Sequence, residues 1–262
     1  MRTLSFLFVA LGVFASEAGI AHADLLIGGS TNNGNLDLTI AVEIVPGFFL
    51  PKPQVWQNIG TRTISGPYED EMSSESWAGP APTPVTTDGL LNPPFPDGFG
   101  GPDGGVFFKP FSGGGANGAA TGHLLQDNPG IPGKEYTLTG WAGAEANVLM
   151  GDAVFALEFL DGGGIEIPAS GVELSLLPTL FVDNGEAFDY KQYTLSAIAP
   201  AGTVFVRARV SMIDAIANPA GGGQAFVVDD FTLEVVPEPS SVALALVGAL
   251  ALLGLGLRRR QP

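Results

Sequence analysis

Between residues 24 and 236 no segment keeps a helical hydrophobic period for three turns. The apolar residues fall instead on every second position of short runs, the spacing that puts them on one face of a strand. Residues 36–45 set Leu36, Leu38, Ile40, Val42 and Ile44 against Asp37, Thr39, Ala41 and Glu43. Residues 203–213 set Val204, Val206, Ala208 and Val210 against Thr203, Phe205, Arg207 and Arg209. Residues 136–141, 154–160, 192–198 and 224–235 read as further strands between turn signals such as Asp161-Gly162-Gly163-Gly164 and Asn218-Pro219. Short strands at this spacing predict an all-β chain folded as a jelly-roll β-sandwich. One stretch departs from the pattern. Residues 79–105 hold seven prolines and seven glycines, too many to sit in a central strand, and are expected to form a long inserted loop.

The C-terminus obeys a different rule. Pro237-Glu238-Pro239 is followed by two serines, sixteen uncharged residues at 242–257, and Arg258-Arg259-Arg260. Two prolines around one charge make an extended, accessible element. Sixteen apolar residues reach about 24 Å as a helix, enough for a short membrane span, and the arginines hold that end on the cytoplasmic side. This order closely resembles the PEP-CTERM sorting tail, in which Pro-Glu-Pro is an address read by a membrane enzyme, exosortase. The resemblance implies export in a Gram-negative bacterium that makes exopolysaccharide, anchoring in the inner membrane, then cutting near residues 237–239 and release to the cell surface or extracellular matrix. An ordinary single-pass anchor is the alternative reading.

The N-terminus agrees. Arg2 supplies a positive region, residues 4–15 are apolar, and Ala21-His22-Ala23 is a small-x-small cleavage site. Residues 1–23 are therefore expected to be a signal peptide, 24–236 the mature β-sandwich and 237–262 the sorting signal, with a transmembrane helix near 242–257.

Residues 24–236 carry 7 basic and 25 acidic side chains, a net charge of −18. Such a field repels nucleic acid and anionic lipid and favours divalent cations. Cysteine is absent, so neither disulfides nor thiol chemistry contributes.

Three fragments, Asn33-Gly34-Asn35-Leu36-Asp37, Gly133-Lys134-Glu135-Tyr136-Thr137-Leu138 and Phe226-Val227-Val228-Asp229-Asp230-Phe231-Thr232-Leu233, resemble the galactose-binding-like jelly rolls of carbohydrate-binding modules. Leu36 stands where that family often has Phe. The resemblance implies a structural Ca²⁺ joining first and last strands, which here would recruit Asp37 and Asp229. The closing-strand pattern places Asp229 on an apolar face with Ala225, Val227, Phe231, Leu233 and Val235, where a carboxylate is costly unless paired, hydrogen-bonded or metal-bound. Capping of a strand end or bonding to backbone amides would serve equally.

Sugar-binding surfaces stack aromatic rings on pyranoses. Trp77 and Tyr68 flank the acidic segment Glu69-Asp70-Glu71 and Glu75 and are the candidates for carbohydrate binding. Trp56 and Trp141 are further candidates; Trp141 ends a strand beside Gly140 and Gly143, a position as good for core as for a ligand, and core packing is the commoner role of large aromatics.

Catalysis finds little footing. His123 is the one histidine of residues 24–236, no Cys exists and no Gly-x-Ser-x-Gly elbow is present, so a nucleophile–histidine triad is not expected. Gly113, Gly115 and Gly118 match Gly-x-Gly-x-x-Gly, but without a leading strand and following helix the match does not indicate a dinucleotide site. The expectation is a non-catalytic exported protein of the envelope or matrix that binds polysaccharide. Alternatives are a purely structural surface protein and a polysaccharide hydrolase.

Overall fold

The computed structural model describes residues 24–36, 38–62, 74–77, 105–109, 118–180, 191–221 and 224–237. The expected signal peptide, Asp37, Tyr68, residues 79–104 of the insertion and the tail from Glu238 onward lie outside the described residues. So do the side chains of residues 74–77.

Residues Leu25–Val235 form one unit, built almost wholly of strands. In chain order they are β1 (Asp24–Ile27), β2 (Thr39–Val45), β3 (Phe48–Pro53), β4 (Gln57–Arg62), β5 (Ser74–Trp77), β6 (Gly105–Phe108), β7 (Ala120–Pro129), β8 (Glu135–Ala144), β9 (Asp152–Leu160) and β10 (Val172–Ser175), then a single helical turn α1 (Leu177–Leu180), β11 (Lys191–Ile198), β12 (Phe205–Ala215) and β13 (Phe226–Val235). One sheet runs β11-β8-β13-β6-β5, with β1 also paired to β13. A second runs β10-β9-β12-β7-β4, and β2-β3 form a separate hairpin. Among the described residues no helix is long and apolar enough to cross a membrane.

The inner faces of the two sheets meet in one apolar core, as alternation requires. Phe155 and Phe159 of β9 and Val206, Ala208, Val210 and Met212 of β12 face Tyr136 and Leu138 of β8 and Phe226, Val228, Phe231 and Leu233 of β13. Phe231 sits at the centre, stacked on Phe155 at 5.5 Å and tilted against Trp56 at 4.9 Å. Gly140 makes room for that pair: a Cβ there would lie 2.7 Å from Phe155 Cζ and 2.8 Å from Phe231 Cδ1. Trp56 is buried, and its indole N–H donates to the Asn33 carbonyl at 2.9 Å.

Three expectations need correction. Residues 36–45 are not one strand with a buried apolar face. Leu36 is buried in a left-handed conformation (φ 56°) within the opening turn, and β2 begins only at Thr39. Leu38 and Ile40 are about half exposed; among the described residues β2 pairs with β3 alone. Gly105, counted with the inserted loop, instead opens β6, a buried strand between β13 and β5.

The third correction concerns β13. Its pairing with β8 shifts register between Asp229 and Thr232, and Asp230 has φ 49°. This bulge exchanges the faces of the strand. Before it Phe226 and Val228 face the core; after it Phe231 and Leu233 do. Asp229 therefore turns to the opposite face, away from the core side chains among which the alternation had placed it.

The opening turn is tied to the closing strand, since Phe231 N–H donates to Gly34 O at 2.8 Å. Asn33, almost fully buried, braces this turn: its amide donates to the carbonyls of Leu38 (2.9 Å) and Gln54 (3.0 Å) and its Oδ1 accepts from Leu38 N–H (2.9 Å).

Candidate functional site

Both sheets present an outward face. On the six-stranded sheet the register aligns rows across the strands. Gln192 of β11 pairs with Trp141 of β8, which pairs with Asp229 of β13. One residue beyond the bridged pair Val228–Val106, Gly105 lies against Asp229, where a Cβ would come 3.5 Å from Oδ2. Gly105 in turn pairs with Trp77 of β5. The row is thus Gln192, Trp141, Asp229, Gly105 and the backbone of Trp77. Trp141 is partly exposed. Asp229 is 1 % exposed, and its Oδ1 accepts from the Asp230 N–H at 2.8 Å.

Neighbouring rows carry hydroxyls. Thr139 and Thr232 hydrogen-bond across β8 and β13, and Thr137 bonds Ser196 of β11 at 2.9 Å. At the far side Lys109 Nζ lies 4.7 Å from the ring centre of Phe107, a cation–π distance.

Of the residues expected to bind carbohydrate, Trp77 belongs to this row and Tyr68 lies outside the described residues. Of the expected metal ligands, Asp229 is in the row and Asp37 lies outside the described residues. Among the described residues no group of three or more His, Asp or Glu side chains gathers around one point that could hold a metal ion, and Asp229 brings a single carboxylate. Of the sorting-signal residues, Pro237 is the last one described. Glu238, Pro239, Arg258, Arg259 and Arg260 lie outside.

The outward face of the five-stranded sheet was not foreseen as a site. Arg207 and Arg209 stand two residues apart on β12 and so share a face. Arg207 pairs with Asp127 of β7 through Nε (2.6 Å) and Nη2 (2.9 Å) and reaches Glu158 of β9 at 3.9 Å. Arg209 donates from Nε to Glu158 Oε1 at 2.7 Å, from Nη1 to Ser211 Oγ at 2.7 Å, and pairs also with Glu173 of β10. Ser211 Oγ is 2.7 Å from His123 Nδ1. Ser211 Oγ thus accepts from Arg209 and shares a second hydrogen bond with the His123 ring. Burial, then the charge of Arg209, lowers the His123 pKa below its usual value, with Glu158 opposing. The Asp127 hydrogen bond raises the Arg207 pKa further. A continuous ionic ladder therefore crosses four strands. A signal for it existed: in a domain with seven basic residues, two fall on one face of one strand.

The comparisons with known proteins bear on the tail and on the fold. Residues 235–260 match the PEP-CTERM protein-sorting motif, beginning at the last residue of β13. No curated protein matches the sequence. Similar solved structures include a cyclase from Fischerella sp. (14 % identity, TM-score 0.46, covering 83 % of this chain and 98 % of that one). TmCBM61, solved with β-1,4-galactotriose, is similar at 17 % identity and TM-score 0.38, covering 71 % of this chain and 90 % of that one. The enzymatically active domain of tailspike protein 4 of bacteriophage CBA120 is similar at 13 % identity and TM-score 0.41, covering 70 % of this chain. This chain spans only 20 % of the tailspike's length. The neighbours thus include β-sandwiches of the carbohydrate-binding-module kind.

Proposed function

We propose that this chain is an exported protein of the cell envelope or extracellular matrix, anchored by its C-terminal helix until exosortase removes the tail, whose sandwich binds polysaccharide without acting on it. The sorting motif at residues 235–260 carries this reading. For polysaccharide binding, the support is the row that brings Trp141 and the backbone of Trp77 onto one sheet, three strand spacings or about 14 Å apart. The hydroxyls of Thr139, Thr232, Thr137 and Ser196 on neighbouring rows offer donors and acceptors that the ladder pairing holds in place.

On the opposite sheet Asp127, Glu158 and Glu173 are each engaged by an arginine, so these three are read as a structural ladder and not as a facing acid and base. A structural Ca²⁺ between Asp37 and Asp229 belongs to the same proposal. Its support is the net charge and the junction of opening turn and closing strand at Gly34 and Phe231. Lowered melting of the protein on adding EGTA is expected, since a ion bound only by the folded state adds to stability; unchanged melting removes the ion.

A glycan array on the purified protein tests the main reading. Trp141→Ala is expected to weaken retention of a bound polysaccharide by about tenfold or more, about 1.4 kcal/mol, with the melting temperature little changed. Equal retention by the variant, or release of shortened sugar by the wild type, would overturn it.

A further inference from the structure

We propose that one end of the sandwich is a docking surface for the lipid headgroup layer, used while the tail still anchors the chain; the inference rests on the anchoring part of the reading above.

β13 ends at Val235 opposite Tyr136, near the start of β8. The chain therefore leaves the sandwich at the end formed by the β7–β8, β9–β10 and β11–β12 connections. That same end exposes Ile131 (53 %), Ile165 (69 %), Ile198 (65 %) and Val204 (44 %). The backbone ties the connections that carry them to one another and to the neighbouring strand ends. Gly130 N–H donates to Val204 O at 2.8 Å, Val204 N–H donates to Leu160 O at 2.8 Å, and Asp161 N–H donates to Ile165 O at 2.9 Å. Ile198 pairs with Glu135 at the start of β8, and Gly133 N–H donates to Ala199 O at 2.8 Å. A large β-branched side chain left in water on each of three adjoining connections is the kind of apolar tip that a partner surface covers.

The length of chain beyond β13 selects the partner. Six residues, 236–241, separate Val235 from the apolar stretch that begins at Val242. Fully extended, the seven steps from Val235 to Val242 span about 24 Å. While residues 242–257 are in the bilayer, this end of the sandwich cannot move farther than that from the membrane. That reach brings the apolar tips within range of the boundary between headgroups and acyl chains, where such groups sit about 5–10 Å deep.

Charge narrows the lipid. Glu135, Asp161 and Glu166 lie on these connections or the strand ends beside them, with Lys134 and, within electrostatic reach of Glu166, Arg207 as cations, and residues 24–236 carry a net charge of −18. Zwitterionic headgroups fit such a rim; anionic ones are repelled. The tether supplies the proximity that this charge opposes, so the docked state ends when the tail is cut.

The absence of cysteine makes the test direct. Single variants Ile165→Cys and, at the opposite end, Leu149→Cys are labelled with an environment-sensitive fluorophore in protein purified with its tail intact. Each is reconstituted in phosphatidylcholine vesicles, with and without phosphatidylglycerol. The label at 165 is expected to shift to the blue and to be quenched by headgroup spin-labelled lipid, less so with phosphatidylglycerol, while the label at 149 stays unquenched. Adding Ile131→Ser and Val204→Ser is expected to abolish the quenching. Protein that fails to float with the vesicles overturns the anchoring reading, and the docking with it. Protein that floats with the 165 label unquenched overturns the docking alone. So does a blue shift that appears without lipid and grows with protein concentration, which would assign the patch to a second copy of the chain.

Discussion

Arg209 donates from Nε to Glu158 Oε1 at 2.7 Å and holds Nη2 2.6 Å from the same oxygen as an ion pair, on a sheet face where Glu158 is only 5 % exposed. The pair stands at the middle of the ladder, with Asp127 and Arg207 on one side and Glu173 and Ser211 on the other.

Arg209→Leu is expected to cost about 2–3 kcal/mol in urea unfolding, because it leaves a buried carboxylate without its main partner. Arg209→Leu combined with Glu158→Leu is expected to cost less than Arg209→Leu alone, since the desolvated charge disappears as well. A double variant as unstable as the sum of the singles would show that the two side chains do not act as a unit.

His123 gives the fold a pH dependence of definite sign. Its folded pKa is lowered by burial and by Arg209, so between the unfolded value of 6.5 and the folded one the unfolded chain binds more protons. Stability from this group is full above 6.5 and falls as pH drops through the folded pKa. His123→Gln is expected to flatten that part of the stability profile. NMR titration of the imidazole resonances checks the direction, and a midpoint above 6.5 would reverse the sign.

The fold was legible wherever one side of a strand faces the core and the other water. The strands at 135–144, 152–160, 191–198 and 205–215 follow the alternation of Tyr136 and Leu138, Phe155 and Phe159, Tyr193 and Leu195, and Val206 to Val210. β7 was missed although it is central to its sheet. Its inward Gln126 and Asn128 are polar, and they bury themselves by bonding Asn32 of the opening turn, Gln126 to the carbonyl at 2.9 Å and Asn128 to the side chain at 3.2 Å. Such cross-chain satisfaction leaves no local pattern. The face of Asp229 was misread because a single left-handed residue, Asp230, shifts the period, and Asp tolerates that conformation without advertising it. The ionic ladder joins residues up to 80 positions apart, a relation that only the register supplies.

Gly140 tests the core geometry. Gly140→Ala drives a methyl group into Phe155 and Phe231 and is expected to cost about 3 kcal/mol. Gly164→Ala, where φ is +74° and nothing lies within 4 Å, is expected to cost about 1 kcal/mol, from backbone strain alone. Equal losses in thermal unfolding would contradict the close approach of the two rings at Gly140.

The central claim is that the tail is an address removed after export. Intact-mass and C-terminal peptide mass spectrometry of the protein taken from the surface or matrix of its native host measures this directly. The account predicts a C-terminus within or close to Pro237-Glu238-Pro239, and accumulation of the uncut form in the membrane when those three residues are replaced. A surface protein that still ends in Arg258-Arg259-Arg260-Gln261-Pro262 would contradict it.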